Sequence, residues 1–161
     1  MRAWARFSKL GRITGCLWAL LLVAGCAVKL APAYDNTIVT GLTKANEETS
    51  VLFASVAAGT TKDTFSNRED SYNKEIGAFD ALRIQAIARP TPSAPIGGTA
   101  TQIPRLQAPT ANVLTEIRDT LIRMRDTDKR AGLSSTQVVG FKQSYEISID
   151  QALTYEKALQ R

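Results

Sequence analysis

The chain has 161 residues, 44% of them hydrophobic and 22% charged, with two cysteines and no histidine. Its net charge of +5 is concentrated at the start: Arg2, Arg6, Lys9 and Arg12 precede any acidic residue, and the 16 basic and 15 acidic residues after Gly25 leave only +1. That near-neutrality leaves no clustered basic face for nucleic acid, and the lack of histidine removes Ser-His-Asp and Cys-His catalysis and the Glu-x-x-His pairs of di-iron helical proteins.

The first segment has a basic start and then an apolar run from Ile13 to Gly25, centred on Leu17-Trp18-Ala19-Leu20-Leu21-Leu22-Val23. The run is about 13 residues, suited to the apolar region of a secretory signal and short of the roughly 20 that span a bilayer. Val23-Ala24-Gly25-Cys26 closes it. These residues resemble the lipobox of a bacterial lipoprotein precursor with a type II signal peptide, a resemblance confined to residues 1–26. It implies cleavage of residues 1–25 and lipidation of Cys26 by diacylglyceryl and palmitate-type chains. Because two or more acyl chains make membrane attachment stable, that lipid alone would suffice as an anchor. Ala27 in place of Asp after the lipidated Cys implies the outer membrane, on its periplasmic face. Cys16 would leave with the signal, so the mature monomer has no disulfide. Residues 26–32 then serve as a tether.

From residue 33 to residue 161 the hydrophobic period is helical, and the expectation is a single all-α domain. Tyr34, Ile38, Leu42, Ala45, Thr49, Leu52, Phe53 and Val56 step by three or four, opening beside Pro32 and stopping near Gly59. A second stripe holds Phe65, Tyr72, Ile76, Phe79 and Ala86 with Leu82 at its edge, capped by Thr61 or Asp63 and ended by Pro90. The third, Val113, Leu114, Ile117, Leu121 and Met124, runs from Thr110 to Gly132. The fourth, Val138, Phe141, Tyr145, Ile149, Ala152 and Leu159, starts with Ser134 and Gln137 at capping-box spacing.

Short links join the first helix to the second and the third to the fourth, which makes those neighbours antiparallel. Between the second and third lies a Pro/Gly-rich loop, residues 90–109, with five prolines besides Gly97-Gly98. The predicted architecture is an up-down-up-down antiparallel four-helix bundle with helices of about 22 to 27 residues. A tether of about seven residues reaches at most about 25 Å, so the Tyr34 end lies near the membrane. Arg89 and Arg105, flanking the long loop at that end, are candidate contacts for anionic lipid head groups.

Charges on the core faces are the remaining candidates. Arg83 falls at the centre of the second stripe and Glu156 near the centre of the fourth, and the two are expected to approach one another, because an unpaired charge there is costly. Asp128 lies on the apolar face of the third helix, with Lys142 as its expected partner. No zinc spacing, haem-attachment motif or phosphate loop occurs, so neither metal nor cofactor is expected beyond the lipid on Cys26, and no catalytic residue is assigned. Two functions are consistent with these features. One is a lipid-anchored structural or adaptor module that binds an envelope protein, with Ile122, Val139 and Ile147 as an off-core patch. The other is a small-ligand carrier with a cavity among Tyr34, Phe53, Tyr72, Phe79, Tyr145 and Tyr155.

Overall fold

A computed structural model describes residues 31–90 and 109–160, and every regular element among them is helical. The elements are α1 (Asn36–Val56), a 3₁₀ turn (Lys62–Asn67), α2 (Glu69–Ala88), α3 (Pro109–Ala131) and α4 (Ser135–Ala158). The signal segment, Cys26, Arg105 and the interior of the Pro/Gly-rich segment lie outside the described residues.

Local chemistry sets the ends. Asp35 is the N-cap of α1, its Oδ1 accepting from the Thr37 amide at 2.8 Å. Tyr34 therefore precedes the helix instead of joining its stripe, and its hydroxyl donates to Asn36 Oδ1 at 3.0 Å. Helix α2 ends at Arg89, whose extended backbone (φ −60°, ψ 139°) is the conformation a following proline favours. Pro109 opens α3, where a missing N–H costs nothing. At α4 both halves of the capping box form: Ser134 Oγ accepts from the Gln137 amide at 3.2 Å, and Gln137 Oε1 accepts from the Ser134 amide at 2.9 Å.

The second stripe requires correction. Phe65 is buried, but it belongs to the 3₁₀ turn; α2 begins only at Glu69, so neither Thr61 nor Asp63 caps it. A 3₁₀ turn advances three residues per turn instead of 3.6, and the phase carried from Phe65 is lost before α2 starts. The residues α2 buries are Tyr72, Glu75, Phe79, Leu82 and Ala86. Their centre is rotated away from Ile76 and Arg83, which are only half-buried.

The helices touch in a ring: α1 on α2, α2 on α3, α3 on α4 and α4 on α1, with the 3₁₀ turn on α2 and α3. Ile38, Leu42, Leu114, Ile117, Leu121 and Met124 are fully buried in the shared core, each contributing about 1.5–3 kcal/mol by leaving water. Tyr145 of α4 lies between Phe53 of α1 and Phe79 of α2, with ring centroids 5.4 and 6.0 Å away. Gly41 allows α1 and α2 to approach closely, since a Cβ there would lie 2.6 Å from a Leu82 methyl.

Candidate functional site

Two turns meet at one end of the core, and glycine makes the meeting possible. Gly59 (φ +92°) and Gly132 (φ +78°) both occupy the left-handed region. A Cβ on Gly132 would lie 2.4 Å from the Thr60 carbonyl oxygen, and one on Gly59 would lie 2.8 Å from that of Leu133. The Thr60 amide donates to the Leu133 carbonyl at 2.7 Å, and the Leu133 amide donates to Thr60 Oγ1 at 2.8 Å.

Beneath this junction sits Asp128, fully buried near the end of α3. Its Oδ1 accepts from the Thr60 hydroxyl and from Arg68 Nη2, the latter at 2.9 Å. Its Oδ2 accepts from Arg68 Nε at 2.9 Å and from the Tyr72 hydroxyl at 3.1 Å. Arg68 also donates to the Thr64 and Thr61 carbonyls, which binds the 3₁₀ turn into the same network. The expected partner Lys142 is elsewhere, 3.5 Å from Glu146 on its own helix. A planar guanidinium satisfies both oxygens of a buried carboxylate at once, which a lysine ammonium cannot do. Burial, and then the charge of Asp128, pushes the Tyr72 phenol well above its ordinary pKa, so it remains a donor.

A second buried carboxylate lies near the end of α4. Glu156 accepts from Arg89 Nη1 at 3.0 Å through Oε2, and from Arg89 Nη2 and the Thr110 hydroxyl through Oε1. Arg89 Nη1 reaches the Ala33 carbonyl as well, at 3.4 Å. The cluster thus joins the entry to α1, the end of α2, the start of α3 and the end of α4. Two expectations are overturned here. Arg89 is not a surface arginine available to head groups: its side chain is 7% exposed. Arg83 does not meet Glu156, because the rotated stripe turns it outward. It lies 2.9 Å from Asp80, which Arg118 of α3 also contacts at 3.1 Å. Those hydrogen bonds, Arg83's first, hold Asp80 below the usual carboxylate range.

Sequence reasoning missed Arg68 and Glu75. Arg68 carries little signal, since it sits in an irregular junction outside both helical periods (φ −124°, ψ −11°). Glu75 is legible in retrospect, three residues after Tyr72 and four before Phe79, which is core spacing on a helix. It is 3% exposed, and among the described residues its one hydrogen bond comes from the Thr49 hydroxyl of α1 at 3.2 Å.

The aromatic residues considered for a cavity occupy the interior themselves. Phe53 and Phe79 each pack against Tyr145, Tyr72 stacks on Phe65 at 6.2 Å, and Tyr34 and Tyr155 are half-buried. A groove of about 240 Å³ opens between α1 and α4, with Phe53, Tyr145 and Ile149 in its wall and Asn46, Glu146 and Asp150 around them. Of the off-core residues, Val139 and Ile147 are each 64% exposed, while Ile122 is half-buried. Among the described residues no group of three histidine, cysteine, aspartate or glutamate side chains is placed to hold a metal, and no helix is long and apolar enough to cross a membrane. The two fully buried carboxylates have donors on both oxygens, which suits them to holding elements together and leaves little capacity for a substrate. Comparison with protein families, curated proteins and solved structures finds no match to this chain.

Proposed function

We propose that this chain is a lipid-anchored module of the bacterial cell envelope whose role is structural or adaptor-like, binding another envelope protein without catalysis. The observation that carries the reading is the use of its buried charge. Asp128 and Glu156 are each saturated by an arginine and hydroxyl donors from other segments. Groups spent in this way stiffen a scaffold; they are not free to act on a ligand.

The finer architecture belongs to the same reading: an antiparallel, up-down-up-down four-helix bundle with the Pro/Gly-rich segment bridging α2 and α3. Contacts at the two ends support it. The turn after α1 pairs with the turn before α4, while Ala33, Arg89, Thr110 and Glu156 gather where α1 and α3 begin and α2 and α4 finish. The lipobox residues Val23-Ala24-Gly25-Cys26 support cleavage before Cys26, lipidation there, and a location on the periplasmic face of the outer membrane. No metal or further cofactor is proposed. The carrier alternative rests on the groove of about 240 Å³ between α1 and α4, lined in part by Phe53, Tyr145 and Ile149.

The test is site-specific photocrosslinking from Val139 and Ile147 in the native envelope, on full-length chain whose Cys26 lipid is verified by mass spectrometry. One envelope protein recovered from both positions supports the adaptor; recovery of the monomer alone overturns it. An unlipidated Cys26 overturns the anchor independently. A small molecule co-purifying in the α1/α4 groove would select the carrier.

A further inference from the structure

The described core buries three carboxylates, and only two have a cation. Asp128 has Arg68 and Glu156 has Arg89, but Glu75, 3% exposed, faces the neutral hydroxyl of Thr49, itself fully buried on α1. The neighbouring charges are committed elsewhere. Lys74 lies 2.9 Å from Glu48 at the surface, with its side chain 62% exposed. On α4, the Tyr145 hydroxyl donates to Asn46 Oδ1 at 2.9 Å. On α3, the charged groups that reach α2 engage other residues: Arg118 meets Asp80, Arg125 meets Asn73, Asp128 meets Tyr72, and Lys129 reaches Glu69. An ionised carboxylate at this position would be desolvated with a single neutral donor, which is a costly state. A carboxylic acid fits it, because the Thr49 hydroxyl that donates to a carboxylate can equally accept the proton of the acid.

We propose that Glu75 is a proton-binding site that sets how tightly α1 closes on the rest of the bundle, holding its proton when α1 is seated and releasing it when α1 lifts away. The site does not depend on the envelope reading. Adjacent carboxyls then behave oppositely. The hydrogen bond from Lys74 holds Glu48 below its ordinary value, whereas burial pushes Glu75 up against the opposing Thr49 hydrogen bond, Glu48's charge adding to the rise and the charge of Lys74 opposing it. The sign follows from linkage: a carboxyl raised in the folded state stabilises fully below its unfolded value, near 4.5, and that stabilisation is lost as pH rises through the folded value. Within that window one proton is released per opening. The opening equilibrium therefore climbs by up to tenfold per pH unit and is level above it.

The test uses the full chain. Carboxyl-detected carbon NMR follows Glu48 and Glu75 across pH, while amide exchange, corrected for its intrinsic pH dependence, follows α1 in wild type and in Glu75→Gln. The expected result is that Glu75 titrates well above Glu48. Protection of α1 amides falls by up to tenfold per pH unit above pH 4.5 in wild type, and that fall is absent in the variant. Titration of Glu75 together with Glu48 would overturn the proposal without any variant, and so would equal pH dependence of α1 exchange in the two proteins.

Discussion

Replacing Asp128 with alanine is the sharpest test of the junction between the two turns. The side chain is fully buried and accepts four hydrogen bonds, two from Arg68 and one each from Thr60 and Tyr72. Truncation leaves the Tyr72 hydroxyl buried without its partner and Arg68, 13% exposed at its side chain, without a counter-charge. Breaking a buried pair by removing one member costs about 3–5 kcal/mol. Arg68 keeps the Thr64 and Thr61 carbonyls, so the lower end, about 3 kcal/mol, is expected. That is a large share of the 5–15 kcal/mol typical of a domain, and at roughly 3–5 °C per kcal/mol it lowers Tm by about 10 °C. Urea unfolding followed by circular dichroism measures it as a shift in midpoint at constant m-value. Arg68→Met should cost a comparable amount, and the double variant much less than the sum of the two. A loss under about 1 kcal/mol for Asp128→Ala, or simple additivity in the double variant, would refute the reasoning.

Gly132→Ala should cost about 2 kcal/mol or more in the same unfolding assay, because it combines a left-handed backbone with a Cβ 2.4 Å from the Thr60 oxygen. Gly77→Ala, on α2 with nothing within 4 Å of the added carbon, should instead stabilise by roughly 0.5–1 kcal/mol. Ser134→Ala removes half of a formed capping box and should lower stability by about 1 kcal/mol. Arg89→Met strands the buried Glu156 and should cost about 3–5 kcal/mol, whereas Arg83→Met, acting on a half-buried pair, should cost under about 1 kcal/mol. Equal losses for these two variants would restore the pairing of Arg83 with Glu156 that the sequence suggests.

Period-3.6 reasoning works where a helix begins cleanly and fails where an irregular turn shifts its phase. For α1 the buried positions follow the stripe read from the sequence from Ile38 on, and for α3 and α4 its centre holds, including Asp128 and Glu156, while Val113, Phe141 and Leu159 are only half-buried and α3 also buries Thr110, Ala111 and Thr120. The capping box of Ser134 and Gln137 is legible because it rests on side-chain chemistry within a few residues, whereas Pro109, read from the sequence as the last residue of the loop, is the first residue of α3. The α2 stripe goes astray through Phe65: it supplies core from the 3₁₀ turn, and projecting it onto α2 rotates the axis enough to place Arg83 inside and omit Glu75. Partner choice is harder still. Thr60 and Asp128 are 68 residues apart, and Arg89 and Glu156 are 67 apart. No local pattern encodes such pairs; the packing of the helices against one another and guanidinium geometry select them.

These long-range pairs offer a reason for keeping ions inside a small core at all. A buried ion pair is often no more stabilising than an apolar pair of the same volume, since both charges must be stripped of water. What it supplies is a penalty on every alternative arrangement. Twenty residues, 89–108, separate α2 from α3, and loop closure over such a length discriminates weakly among helix placements. Sliding α4 by one turn, about 5.4 Å, would leave Glu156 without Arg89, while lifting the α1–α2 turn would leave Asp128 without Arg68 and Thr60. Apolar stripes alone impose no such discrimination, because Leu114, Ile117 and Leu121 repeat at spacings that tolerate a shift of one turn. The double variant Arg89→Met with Glu156→Leu separates the two roles. It should unfold within about 1 kcal/mol of wild type yet show extra amide resonances from α4 as more than one register becomes populated. A single set of sharp resonances in that variant would mean that packing alone fixes the register, and that the buried ions are not needed for it.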